Sequence, residues 1–95
     1  MNYEISTKFV RANGDAIAQG VRFFNFLTYC GVGHMRFCKY THQVGIEVYC
    51  DSPEEAGEVE KISQDFLLRG WQSEIEDFTE QEPYFWLVRF KYHFA

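Results

Sequence analysis

The chain has few of the features that mark exported or membrane proteins. It contains three cysteines in 95 residues, and three thiols cannot all pair with one another. No apolar run approaches the ~18 residues that a membrane-spanning helix needs. The first four residues lack the basic and apolar regions of a signal peptide. These absences predict reduced thiols, a cytoplasmic location and no membrane contact.

Basic residues are also scarce. Nine lysines and arginines stand against fourteen acidic residues, which gives a formal net charge of −5. Residues 51–82 alone hold eleven acidic residues and two basic ones, a net charge of −9. A charge run of this kind is usually a solvated face, but its density argues against direct nucleic-acid binding by this half.

Apolar residues are abundant by contrast. The hydrophobic fraction is 46% and the aromatic fraction is 19%, too high for a disordered chain. Ninety-five residues are enough for one modest core, so residues 1–95 are predicted to form a single domain.

The stretch from Val44 to Trp71 gives the clearest structural pattern. Apolar residues at every second position from Val44 predict a half-buried strand. Ser52 and Glu55 then have the spacing of a helix capping box, with Pro53 at a position where its missing N–H costs nothing. The helix that follows is predicted to end at Gly70.

The remaining elements follow from alternation and turn residues. Strands are predicted at Tyr3–Phe9, His34–Tyr40, Trp71–Phe78 and Tyr84–Phe94, and a helix at Ala16–Tyr29 after an N-cap at Asp15. The buried stripe of that helix is predicted to be Ile17, Val21, Phe24 and Leu27. Gly20 lies on the same side, and Phe23, Phe26 and Cys30 widen the stripe. The order β-α-β-β-α-β-β fits an α+β, ferredoxin-like two-layer sandwich, with two helices on one face of a mainly antiparallel sheet.

The segment Gly45–Ala56 resembles the third strand and second helix of an RNA-recognition motif. That family stacks bases on aromatic residues of this strand. The matching positions here are Ile46 and Val48, which are not aromatic, and the acidic Glu47 lies between them. RNA binding by this face is therefore not predicted.

The run Asp15–Glu74 is similar in its order of elements to ACT regulatory domains. The resemblance implies a dimeric module that senses a small ligand, which is the alternative function. The segment Gln19–Phe23 resembles a fragment of the acylphosphatase phosphate loop. That resemblance implies a hydrolase in which Arg22 grips phosphate, a less favoured alternative.

The cysteine and histidine residues offer weak patterns for a metal site and for a catalytic nucleophile. Cys30, His34, Cys38 and His42 recur every four residues, but a strand would spread the last three over ~26 Å. Cys38 and His34 form a conceivable nucleophile and base, but nothing in the sequence marks an oxyanion hole. The sequence predicts no metal, no cofactor and no enzymatic activity.

The leading hypothesis is a non-enzymatic protein-binding or regulatory protein whose acidic face docks on a basic partner surface. An inhibitor of a nucleic-acid-binding enzyme, as encoded by many phages, would use such a face. The predicted partner-binding residues are Glu54, Glu55, Glu58, Asp65, Glu74, Glu76, Asp77, Glu80 and Glu82. A homodimer through the Tyr84–Phe94 strand is also predicted, on the condition that this apolar strand lies at a sheet edge.

Overall fold

The computed structural model describes residues 7–67, 70–78, 80 and 85–94, with the backbone alone described for 7–13. Within these ranges the protein is α+β, with two helices and one four-stranded antiparallel sheet. The elements in chain order are α1 Thr7–Tyr29, β1 Met35–Lys39, β2 Gln43–Cys50, α2 Pro53–Phe66, β3 Trp71–Asp77 and β4 Trp86–His93.

The sheet has the strand order β1-β2-β4-β3, so β2 and β4 are central and β1 and β3 are the edges. Every neighbouring pair is antiparallel. The register aligns residues across all four strands. One such row contains Phe37, Ile46, Phe90 and Ser73, and the adjacent row contains Arg36, Glu47, Arg89 and Glu74. Because side chains alternate along a strand, these two rows point to opposite faces.

Both helices cover the face that carries Phe90. The Phe23 ring of α1 meets the Phe90 ring edge-on at 5.0 Å. On the α2 side, the Ser73 hydroxyl donates to the Glu60 carboxylate at 3.3 Å. The opposite face, which carries the Arg36–Glu74 row, is left uncovered by α1 and α2 and is called the open face below. No helix in the described ranges is long and apolar enough to cross a membrane.

A compact core lies between the helices and the sheet, because the apolar stripes of both helices meet the apolar positions of β2 and β4. Its buried members are Phe23, Leu27, Ile46, Val48, Cys50, Ala56, Val59, Leu67, Val88 and Phe90.

The predicted N-terminal strand is wrong where the structure describes it. Thr7–Phe9 belong to α1, and the rest of the predicted strand lies outside the described residues. Asp15 is inside α1 rather than at its N-cap, because the helix continues through Asn13 and Gly14. Lysine, arginine and alanine, which are good helix formers, precede this point and outweigh the local turn signal.

The ferredoxin-like order is therefore not confirmed. A ferredoxin-like sandwich begins with a strand that lies at the centre of its sheet. In this structure the described chain begins with α1, and the central place beside β2 is taken by β4, the last strand described. The order of elements over Asp15–Glu74 agrees with the predicted order. In the sheet, however, β2 and β3 are not neighbours, because β4 lies between them.

The capping box before α2 is confirmed in part. The Glu55 amide donates to the Ser52 hydroxyl at 3.1 Å, and Pro53 occupies the first helical position. The Glu55 carboxylate, however, accepts from the Asp51 amide at 3.4 Å rather than from Ser52. The helix ends at Phe66, earlier than the predicted stop at Gly70, which has a φ of 83°.

The last strand has the predicted faces but not the predicted place in the sheet. Trp86, Val88 and Phe90 point to the helices, whereas Arg89 and Lys91 lie on the open face. Both edges of β4 are occupied, by β2 and by β3. The predicted homodimer required a free edge on this strand, and within Trp86–His93 that condition is not met.

The Trp71 indole of β3 packs against α1 at Gly20. A Cβ built there would lie 2.9 Å from Cζ2 of Trp71, whose indole nitrogen also donates to the Ala16 carbonyl at 3.2 Å. We expect Gly20→Ala to destabilise the protein by about 1–2 kcal/mol, because the anchored indole must move even though alanine favours the helix. Urea unfolding measures the change.

The matched control is Gly57→Ala in α2. A Cβ at Gly57 meets no atom within 4 Å, so only the helix preference changes. We expect this variant to be more stable than the parent by about 0.5–1 kcal/mol. Stabilisation of similar size in both variants would contradict close packing of Trp71 on α1.

Candidate functional site

The predicted partner-binding acids fall into two groups. Helix α2 carries Glu54, Glu58 and Asp65, which are all exposed, and Glu55, which is half-buried in the cap. Glu54, Glu58 and Asp65 follow one another at helical spacing and form one stripe of about 16 Å, here called the acidic helix face. Within the described ranges, no lysine, arginine or histidine nitrogen forms an ion pair with these three carboxylates.

The second group lies on β3, on the other side of the sheet. Glu74 and Glu76 point to the open face, where Arg89 pairs with both of them. The Lys91 ammonium also contacts the Glu74 carboxylate at 3.2 Å. Hydrogen bonds from Lys91 and Arg89 lower the pKa of Glu74. These carboxylates are thus largely neutralised by the protein's own cations.

Three predicted partner-binding residues remain, Asp77, Glu80 and Glu82. Asp77 ends β3 with its side chain on the helix side, and Glu80 is exposed in the turn that follows. Glu82 lies outside the described residues. The sheet therefore separates the predicted acidic surface into two parts, and the acidic helix face is the part that the described cations leave unpaired. Partner binding by any of these residues stays a prediction.

The open face contains a charged group that the sequence analysis did not identify as important. Glu47 is only 5% exposed although it is a carboxylate on the face without helices. Its two oxygens accept from different arginines: Arg36 Nε at 2.5 Å and Arg89 Nε at 3.0 Å. The ion-pair row thus runs Arg36–Glu47–Arg89–Glu74 across all four strands.

The electrostatics of Glu47 follow from this geometry. Burial raises the pKa of its carboxyl, but hydrogen bonds from Arg36 and Arg89 outweigh burial, and the net result is a lowered pKa. Glu47 is therefore ionised at neutral pH and holds both arginines in place. Arg36 is fixed only through Nε, and its terminal nitrogens have no hydrogen-bond partner among the described residues.

A cleft lies beside Arg36, at the β1 end of the ion-pair row. Its volume is about 510 Å³, and its lining includes His34, Met35, Arg36, Tyr49, Asp51 and Phe85. Tyr49 and Phe85 meet edge-on at 5.3 Å, and Phe85 stacks on Phe78 at 4.9 Å. This aromatic group lies over Leu87, which pairs with Tyr49 across the strands and is buried.

No protein-family model matches the chain, and neither a curated protein nor a solved structure matches it. The cleft and the acidic helix face are therefore described by their own chemistry. The cleft combines a fixed cation, an aromatic wall and one exposed carboxylate. The helix face presents carboxylates that form no ion pair with a cation of the described residues.

The other residues considered in the sequence, for phosphate binding or metal binding, do not come together in one site within the described ranges. The segment Gln19–Phe23 is an uninterrupted part of α1, as the predicted helix Ala16–Tyr29 requires, and Arg22 is exposed. The residues that resemble a phosphate loop therefore do not form a loop. Cys30 follows α1, Cys38 is on β1, and His42 is in the β1–β2 turn. Across the described ranges, no group of three or more potential ligands is placed to hold a metal ion.

The sequence did contain a signal for the Glu47 network. Glu47 interrupts an otherwise apolar strand, and two arginines occupy comparable alternate positions in β1 and β4. A buried carboxylate needs a charged partner, so these residues predict one another once the strands are paired. The pairing itself, β2 against β4, was the missing information.

Proposed function

We propose that this protein is a non-enzymatic, protein-binding regulatory protein that docks on a basic partner through the acidic helix face. The observation that supports this proposal is the contrast between the two acidic groups. The carboxylates of β3 are engaged by Arg89 and Lys91, whereas Glu54, Glu58 and Asp65 are exposed and unpaired within the described ranges. Unpaired surface carboxylates speed association with a basic surface and fix its orientation.

The chemistry of the partner follows from the surface. A row of carboxylates along one helix is complementary to a row of lysines or arginines, such as the phosphate-binding surface of a nucleic-acid enzyme. We propose an inhibitor of such an enzyme, of the kind that phages encode, as the specific role. In that role the protein and the nucleic acid would compete for the same basic surface, because both present negative charge to it.

The stripe also includes a cation that supplies a matched control. Lys61 lies between Glu58 and Asp65 on the same solvent-exposed side of α2. Lys61→Glu therefore extends the acidic face, whereas Glu58→Lys combined with Asp65→Lys reverses it. Neither change involves the cap residues Ser52 and Glu55, so the helix N-terminus stays intact.

The test measures affinity for a basic partner, recovered by pull-down and then purified, by calorimetry from about 50 to 300 mM salt. We expect the double reversal to weaken binding at least about tenfold, and Lys61→Glu to strengthen it. Binding should weaken as salt rises, and nucleic acid should displace the protein. Affinity that responds to neither salt nor these substitutions would reject the acidic helix face as the docking site.

A further inference from the structure

We propose that the cleft between β1 and the aromatic group on the open face binds a small aromatic carboxylate carrying a single negative charge. Arg36 would hold the carboxylate, Tyr49 and Phe85 would contact the ring, and Asp51 would select against a second negative charge. This site is on the open face, away from the acidic helix face, and the inference goes beyond the protein-binding function proposed above.

The first step is the state of Arg36. Its Nε donates to Glu47 at 2.5 Å, and Glu47 is held in turn by Arg89 at 3.0 Å. The guanidinium is therefore oriented by a buried carboxylate while 62% of its side-chain surface stays exposed. A fixed guanidinium with free terminal N–H groups is suited to a carboxylate, which accepts two parallel hydrogen bonds from it.

The second step is the apolar wall of the cleft. Tyr49 and Phe85 are both half-buried, meet at 5.3 Å, and line the same cavity as Arg36. Aromatic side chains prefer edge-to-face or offset contact with another ring. A volume of about 510 Å³ lies within the range of small-molecule sites, so a single-ring ligand fits.

The third step is a second charged residue in the lining, of opposite sign to Arg36. Asp51 is exposed, lies directly after β2, and lines the cavity with Arg36. Its carboxylate favours a hydrogen-bond donor and disfavours a second anionic group on the ligand. Phosphorylated and dicarboxylic compounds are therefore expected to bind less well than a monocarboxylate.

The test uses phenylacetate as the probe and the complete chain as the protein. Phenethyl alcohol, which has the same ring but no charge, and phenylsuccinate, which has two carboxylates, are the matched comparison ligands. Binding is followed by amide chemical shifts, with a Kd of about 0.1–1 mM expected for phenylacetate. The shifts should centre on Arg36, Tyr49, Asp51 and Phe85.

Comparison of the three ligands tests the proposal first on the unaltered chain and then on one variant, Asp51→Asn. We expect phenethyl alcohol to bind about tenfold or more weakly than phenylacetate, because it cannot form the charge-assisted hydrogen bonds. Phenylsuccinate should also bind more weakly, and Asp51→Asn should recover much of that loss. Equal affinity for the alcohol and the acid, or shifts centred elsewhere, would overturn the proposal.

Substitution of Arg36 provides the second readout. Arg36→Gln should weaken phenylacetate binding about tenfold, whereas Lys39→Gln removes a charge from the same strand outside the cleft and should leave it unchanged. If Arg36→Gln does not fold, Arg36→Lys keeps the charge but loses the paired donors and should still weaken binding several-fold. Unchanged affinity in the folded Arg36 variant would overturn the assignment of the anion to Arg36.

Discussion

Glu47→Ala is expected to destabilise the protein by about 2–4 kcal/mol. The Glu47 carboxylate is 5% exposed and accepts from two arginines, so its removal leaves the Nε groups of Arg36 and Arg89 without their acceptor on the open face. Removing one partner of a buried ion pair typically costs about 3–5 kcal/mol, and partial exposure of the arginines reduces that value. A domain of this length has a total stability of about 5–14 kcal/mol, so urea unfolding will resolve the change readily.

The matched control is Glu74→Ala, at the other end of the ion-pair row. Glu74 also pairs with Arg89, but 49% of its side-chain surface is exposed. Solvent screens such a pair, so its loss should change the stability far less than the loss of Glu47. Equal losses in the two variants would show that burial does not set the strength of the Glu47 pairs.

The pH dependence of stability tests the same carboxylate independently. Because the folded state lowers the pKa of Glu47 below its ordinary value of 4.5, the ionised form contributes stability above that pH. This contribution is lost as the pH falls below 4.5 toward the folded-state pKa. Glu47→Gln has no such proton to bind, so the difference in unfolding free energy between parent and variant should shrink from neutral to acidic pH. Parallel stability curves from pH 7 to 3 would contradict the lowered pKa.

Much of the fold could be predicted because local chemistry and tertiary packing agree there. The alternation of Val44, Ile46 and Val48 predicted β2, and Ser52 with Glu55 predicted the start of α2. The two faces of β4 also followed from alternation alone. In each case the signal is local: the apolar strand positions contact the core, and the cap residues form hydrogen bonds within their own turn.

The sheet order could not be predicted from these patterns. Alternation gives the face on which a side chain lies, but it carries no information about the neighbouring strand. The sequence left open whether the apolar β4 is central or lies at an edge, where it would recruit a second copy. Its central position instead explains why it is so apolar: it is covered by helices on one face and flanked by strands on both sides.

The acidic surface shows the same limit. Eleven acidic residues between positions 51 and 82 predicted one continuous surface. Because Glu74 and Glu76 are on alternate positions of a strand, they point away from α2, and Arg89 lies opposite them. The density of acidic residues along the sequence therefore overestimated the number of unpaired carboxylates on the surface. The carboxylates of β3 are neutralised by cations of β4, and a local pattern does not show that these two strands are neighbours.

The buried side of α1 illustrates a third limit. Apolar residues at positions 23, 24 and 26 allow several stripes of helical spacing. The predicted stripe was wide: it contained Ile17, Val21, Phe24 and Leu27, was extended by Phe23, Phe26 and Cys30, and had Gly20 on the same side. The structure confirms Gly20, Phe23 and Leu27, but it buries Ala16 with them and exposes Val21, Phe26 and Cys30. The small residues leave room for the Trp71 indole, and this contact between α1 and β3 is invisible in the local pattern.

Phe23→Ala is expected to have an effect at least as large as that of Glu47→Ala, about 3–5 kcal/mol. The Phe23 ring is completely buried and contacts Phe90 at 5.0 Å and Phe66 at 5.9 Å, so it joins α1 to both the sheet and α2. Its removal would leave a cavity between three elements that cannot all close onto it. The expected result is a large drop in the urea midpoint with little change in slope.

Phe26→Ala on the same helix is the matched control. Its ring contacts Phe66 at 5.0 Å but is 39% exposed, so we expect a loss of about 1 kcal/mol. Both substitutions give the helix the same gain in propensity, so the difference between them measures burial. Val21→Ala separates the two stripes further: Val21 is 44% exposed and should cost little. A larger loss for Val21 than for Phe23 would contradict the observed docking of α1.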